Sequence, residues 1–158
     1  MKLLLPETIA MKLKTALEKA GTREIGGILM GEYVSDSLFR ICDLTVQKQP
    51  GSFASFRRLF EGFASSLQIF FRKTNYDFTR FNYLGEWHSH PCFDLAPSNI
   101  DSQTMWEIVE DPDVGANFVV LLIVKLNKAG KLEASSTIYF PNKRTLEAYL
   151  IHEKYQND

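Results

Sequence analysis

The sequence predicts an α/β fold, one mixed, mostly antiparallel sheet flanked by helices, in a single domain over residues 1–158. Three observations carry that expectation. Helical and strand patterns alternate along the chain in the order α, β, β, α, β, α, β, β, α. One stretch, Asn117 to Leu126, is apolar almost without a break, as a strand covered on both faces would be. The chain has 158 residues, 45% of them hydrophobic, which suits one domain with a real core. No internal repeat, low-complexity tract or linker divides it.

A first helix is expected from Pro6 to Ala20. Proline suits the first helical turn, Gly21 suits the residue past the end, and Ile9, Leu13, Ala16 and Leu17 form an apolar face. Two strands follow, Gly26 to Tyr33 and Leu38 to Val46, joined by a turn at Ser35-Asp36-Ser37. Gln49-Pro50-Gly51-Ser52 is a break. A second helix, Ala54 to Lys73, carries Phe56, Phe60, Phe63, Leu67 and Phe70 at helical spacing, a stripe that reads as core packing. Arg57, Arg58, Arg72 and Lys73 read as its solvated face. A strand over Phe81 to Trp87 leads into a Pro-containing loop and a helix from Ser98 to Glu110, ended by Asp111-Pro112-Asp113. Asn117 to Leu126 and the alternating Lys131 to Phe140 are strands about a turn at Asn127 to Gly130. Asn142 to Gln156 reads as a closing helix.

Charge and composition exclude several functions. Eighteen basic and 19 acidic residues leave a net charge of −1, so no cationic excess is available to hold nucleic acid. Two cysteines, Cys42 and Cys92, make no disulfide framework. The apolar core of Met1 to Glu7 is too short for a signal peptide, and no run approaches the ~20 apolar residues of a membrane span. The protein is expected to be soluble and cytoplasmic.

The chemistry concentrates in His88-Ser89-His90-Pro91-Cys92-Phe93-Asp94-Leu95-Ala96-Pro97-Ser98-Asn99-Ile100-Asp101. Two of the chain's three histidines stand at i and i+2 on one strand end, so their imidazoles share a face. With Asp101 they make three zinc ligands and leave one position open, the catalytic pattern rather than the structural one. Imidazole and carboxylate donors suit Zn²⁺ better than Mg²⁺ or Ca²⁺. A His-x-His pair alone is a weak signal, since solvated histidines give the same pattern. The chain has 11 serines and 8 aspartates, so finding Ser98 and Asp101 both at preset positions by chance is about a one-in-300 event. Cys92 is a rival ligand, although Asp101 already completes the set.

His-Ser-His, seven residues, Ser, two residues and Asp resemble the signature of the JAMM metalloproteases, the JAB/MPN domain family. Arg23-Glu24-Ile25-Gly26-Gly27-Ile28-Leu29-Met30-Gly31 resembles that family's upstream glutamate before a small-residue strand. The resemblance runs from about Thr8 to Phe140. It implies a deaminase-like α/β/α arrangement, one Zn²⁺ per chain held by His88, His90 and Asp101, Glu24 as the catalytic acid–base, and Ser98 as oxyanion donor. Gly85 to Pro91 further resembles the bacterial branch, whose members sit beside E1-like and E2-like proteins in antiphage and mobile-element operons.

Each assignment has a competitor. Glu24 alone would be a surface glutamate before a strand. Glu86 shares the histidines' strand face and is a rival base or a partner of a histidine; it ranks below Glu24, because a neighbouring strand reaches over a metal more easily. Ser98 can cap the helix that starts there or donate to an oxyanion, two roles that compete for one side chain. Ser89 and Trp87 face away from the site, Pro91 redirects the chain, and His152 reads as a surface residue of the last helix.

The resemblance therefore implies a zinc isopeptidase or peptidase acting after the C-terminal tail of a ubiquitin-like protein, or of a protein conjugated in that manner. E1-like or E2-like proteins or a nucleotidyltransferase are the implied partners. The alternative is a non-catalytic scaffold module of the same family, and such modules lack metal ligands. A zinc deaminase needs a Cys-x-x-Cys that this chain does not have. Gln47 to Arg80, longer than a simple connection, is the segment expected to shape a groove for a substrate tail.

Overall fold

The computed structural model describes residues 1–47 and 56–154, and for residues 56–61 the backbone alone. The expected break at Gln49 to Ser52, the first residues of the expected second helix, and the side chains of Phe56, Arg57, Arg58 and Phe60 lie outside the described residues.

Among the described residues eleven elements follow one another: β1 (Lys2–Pro6), α1 (Glu7–Ala20), β2 (Gly26–Ser35), β3 (Leu38–Leu44), α2 (Phe56–Lys73), β4 (Phe81–Ser89), α3 (Asn99–Glu110), β5 (Val119–Leu126), β6 (Leu132–Phe140), β7 (Arg144–Glu147) and β8 (Tyr149–Glu153). The strands form one sheet in the order β7-β6-β5-β4-β2-β3-β1-β8. Antiparallel pairs join β2 to β3, β2 to β4, β5 to β6 and β6 to β7. Parallel pairs join β1 to β3, β1 to β8 and β4 to β5. The expected mixed sheet with antiparallel pairs in the majority is what forms.

Two expectations about the termini fail. A strand, β1, precedes the first helix. Five residues are too short for a reliable pattern, yet Leu3 and Leu5 alternate into the core while the backbone pairs on both sides. The closing helix over Asn142 to Gln156 is absent as far as residue 154, and β7 and β8 replace it. Asn142 and Lys143 take positive φ, 63° and 55°, and turn the chain back onto β6. Pairing with β6 and β1 overrides the helix preference of Leu146-Glu147-Ala148. His152 is exposed as expected, but on β8.

These two strands stand at opposite ends of the sheet and are separated by Ala148 alone. The Ala148 N–H donates to the Ser136 carbonyl of β6 at 2.9 Å, and the Tyr149 N–H to the Met1 carbonyl at 3.1 Å. One short segment thus bridges both ends, so the sheet is rolled. Its inner core combines Ile9, Leu13 and Leu17 of α1 with Leu5, Ile41, Trp87, Leu122 and Ile138. The other face is covered by α2, through Phe63, Leu67 and Phe70, and by α3, through Met105, Ile108 and Val109.

β5 divides between these layers. Val120, Leu122 and Val124 enter the inner core, and Val119, Leu121 and Ile123 pack beneath α3. That alternation is why the strand reads as continuously apolar. The neighbouring β4 contains a bulge: Leu29 pairs with Gly85 and Met30 with Tyr83. Gly85 has φ +150°, and a Cβ there would lie 2.0 Å from the Val120 carbonyl oxygen, so β5 can approach only a glycine. The bulge sends Leu84 and Trp87 into the inner core and leaves Glu86 and His88 on the α2–α3 side.

Candidate metal centre

β4 ends in the histidine pair. His88 is aligned between Gly26 of β2 and Ile123 of β5, and the His90 N–H donates to the Val124 carbonyl at 3.0 Å. The two Nε2 atoms are 3.0 Å apart, so the imidazoles share a face as their spacing predicts. Asp101 enters from α3, its Oδ1 3.6 Å from His88 Nε2 and its Oδ2 3.7 Å from His90 Nε2. All three side chains are largely buried, with 13%, 11% and 19% of their surface exposed.

The donor set fits a metal ion. His90 Nδ1 lies 2.7 Å from the Asp94 carbonyl, which can only accept, so Nδ1 carries a proton and neutral His90 turns the lone pair of Nε2 toward His88 and Asp101. At most one proton fits between the two nitrogens. The carboxylate stands too far from either for a hydrogen bond. Two ligands of a tetrahedral zinc, each ~2.1 Å from it, lie about 3.4 Å apart. The observed 3.0, 3.6 and 3.7 Å bracket that spacing. Among the described residues, these three form a group of metal-ligating type. Cys92 is exposed and stands outside it.

Asp101 is fixed by a reciprocal cap on α3. Its N–H donates to Ser98 Oγ at 3.1 Å, and its Oδ2 accepts from the Ser98 N–H at 2.7 Å. Ser98 is the N-cap and Asp101 the third helical residue, a capping box. Burial raises the Asp101 carboxyl pKa, but His88 and the Ser98 hydroxyl and amide outweigh it and hold the group well below the usual carboxylate range. Ser98 is exposed, its oxygen accepts the Asp101 N–H in the cap, and its hydroxyl is engaged with the Asp101 side chain. Of the two expected roles, the cap is the one this geometry displays.

The two glutamates differ sharply. The Ser89 N–H donates to the Ile25 carbonyl at 2.8 Å, and Gly26 pairs with His88. The residue before Ile25, Glu24, therefore comes level with His90, and it is exposed. Glu86 shares the histidines' face but is 3% exposed. Among the described residues its Oε1 has no hydrogen-bond partner, and burial pushes its pKa up to about 8. Ser89 is wholly buried and accepts from the Ile25 N–H, and the Trp87 indole N–H donates to the Thr45 carbonyl. Both are structural, as their strand face predicts.

Other residues around the centre carry no local sequence signal. Ser135 of β6 donates to the Leu95 carbonyl at 2.5 Å, and Lys125 Nζ reaches the Phe93 carbonyl at 3.4 Å. They pin the loop whose Asp94 carbonyl orients His90. Tyr139, buried in β6, shares a 3.0 Å hydrogen bond with Ser102, next to Asp101.

Comparison with known proteins agrees with this geometry. Residues 6–137 match the family described as prokaryotic homologs of the JAB domain. The chain belongs to that JAB-domain family. A relative from Enterobacter hormaechei subsp. hoffmannii, named CD-NTase/cGAS isopeptidase, is 30% identical over 123 residues. The match covers 76% of this chain and 65% of that relative's length. A solution structure of a protein from Desulfitobacterium hafniense superposes with a TM-score of 0.66 at 18% identity, over 98% of this chain and 95% of that one. One from Salinibacter ruber gives 0.59 at 17%, over 97% and 92%. Both share the fold. In this JAB domain the His88, His90 and Asp101 group fits a metal site of the JAMM type. Among the described residues, no helix is long and apolar enough to cross a membrane.

Proposed function

We propose that this JAB domain is a zinc-dependent isopeptidase, acting in the cytoplasm, that cleaves after the C-terminal tail of a CD-NTase or of a ubiquitin-like protein conjugated in the same manner. The observation that carries the reading is the convergence of His88 Nε2, His90 Nε2 and an Asp101 carboxylate at 3.0, 3.6 and 3.7 Å. Zinc bound by these groups would polarise the scissile carbonyl and bring the pKa of a coordinated water to about 7.

The chain's own groups do the rest. The exposed Glu24, level with His90, takes a proton from the attacking water and returns it to the leaving amine nitrogen, so the protons balance. The Ser98 O–H donates to the carbonyl oxygen as negative charge develops there. The Asp94 carbonyl keeps His90 in the required tautomer. Buried Glu86, its pKa pushed up to about 8 by desolvation, is sealed from the water and is not the residue that moves this proton. Nothing in this scheme needs a covalent intermediate.

The name of the Enterobacter relative supports a CD-NTase conjugate as substrate. A scaffold role is less favoured, because scaffold modules lose ligands and this chain keeps all three. The test is an amide-linked fusion of a CD-NTase C-terminal tail to a reporter protein. Cleavage at the junction, stopped by a chelator and restored by zinc, is expected. Zinc-loaded protein that binds the tail tightly and never cuts it overturns the reading in favour of a scaffold.

A further inference from the structure

Within the stretch from His90 to Asp101, two large apolar side chains face solvent. Phe93 is 64% exposed, and Ile100 is 79% exposed, the most of any large apolar residue among those described. Both adjoin the metal ligands. The Phe93 ring stands edge-on to the His90 ring, centroids 6.3 Å apart, and Ile100 immediately precedes Asp101 on the first turn of α3.

Scattered surface apolar residues are ordinary, but this pair has two further properties. Neither is needed to hold its segment: Leu95 already packs the loop onto the α3 core, and α3 uses Met105, Ile108 and Val109 for burial. Both are also on pinned backbone. The Phe93 N–H donates to the His90 carbonyl at 3.4 Å, the Phe93 and Leu95 carbonyls accept from Lys125 and Ser135, and the capping box fixes the turn that bears Ile100. Rigid, uncovered apolar side chains beside a reacting centre gain most when a ligand covers them.

We propose that Phe93 and Ile100 select conjugates carrying a bulky apolar side chain within two residues of the scissile amide. The inference rests on the isopeptidase reading and adds a substrate class to it. An extended tail crossing the centre places its peptide over the ligands and an adjacent side chain against the Phe93 ring or the Ile100 chain. An aspartate there would lose its hydration against apolar surface without gaining a partner.

The test is a panel of CD-NTase tails amide-linked to a reporter protein, with the two positions on each side of the scissile bond varied among Leu, Phe, Ala, Asp and Lys. Wild type should favour Leu or Phe over Asp at one position by about tenfold or more in kcat/KM. Phe93→Ser and Ile100→Ser should flatten that preference, mainly through KM, with zinc content unchanged. Ile100→Lys should turn it toward Asp, which a merely structural role would not do. Peptide binding to zinc-loaded Glu24→Gln protein should follow the same order. A wild type without preference, or serine variants that retain it, overturns the inference and leaves the isopeptidase reading standing. If zinc-loaded wild type cuts no member of the panel, both fall.

Discussion

Ser98 and Asp101 hold each other in place. The Asp101 N–H donates to Ser98 Oγ at 3.1 Å while Asp101 Oδ2 accepts the Ser98 N–H at 2.7 Å. The candidate ligand carboxylate is thus part of a helix cap at the same time, so the geometry of the site is built into the start of α3.

Ser98→Ala should therefore lower both stability and turnover. Losing the cap costs about 1 kcal/mol, read as a lower melting temperature. Losing the oxyanion donor costs about 10² to 10³ in kcat. Zinc-saturated variant that melts lower but turns over within about threefold of wild type would reduce Ser98 to a cap.

Glu24→Gln should keep its zinc and lose about 10² to 10⁴ in rate, whereas Glu86→Gln should retain turnover. Exposure decides this: Glu24 reaches solvent and Glu86 is sealed. Paired kcat measurements check it. An inactive Glu86→Gln beside an active Glu24→Gln would exchange the two roles.

Ser135→Ala frees the loop that positions the Asp94 carbonyl on His90. Partners that orient metal ligands contribute about 10- to 100-fold in metal affinity. A zinc competition titration should show loss at the lower end of that range. Unchanged affinity would mean the loop holds its shape without Ser135.

Far from the centre, Glu32 is buried between Arg40 and Arg80, its side chain 7% exposed. Burial raises its pKa, but the two guanidinium groups outweigh that and leave it lowered. A depressed acid stabilises the fold above its unfolded pKa of about 4.3, and that stability is lost as pH falls through the folded value. Glu32→Gln should cost about 1–3 kcal/mol at pH 7, and the difference should shrink as the solution becomes acidic. Denaturant melts at pH 7 and pH 3 read it, and an equal difference at both would contradict the assignment.

Local spacing made the centre legible. His88 and His90 differ by two residues on a strand, and the β4 bulge falls before them, at Leu84–Gly85, so the period of two survives. Ser98 and Asp101 have capping-box spacing, which is itself a sequence signal. Ser135, Lys125 and Tyr139 reach the site only through the register of β5 and β6, which no local pattern encodes. The same holds for β1 and β8: each is five residues long, β8 forms by pairing with β1, and β1 lies between β8 and β3. Without the pairing of β7 with β6 and of β8 with β1, Leu146 to Leu150 reads as helix.

The central claim is that three lone-pair donors, from β4, the residue just past it and α3, hold one zinc. Metal analysis of the purified protein, with His88→Ala and Asp101→Ala in parallel, tests it most directly. About one zinc per wild-type chain, lost in both variants, is the predicted result. Wild-type protein that binds no transition metal, even after reconstitution with zinc, would contradict it.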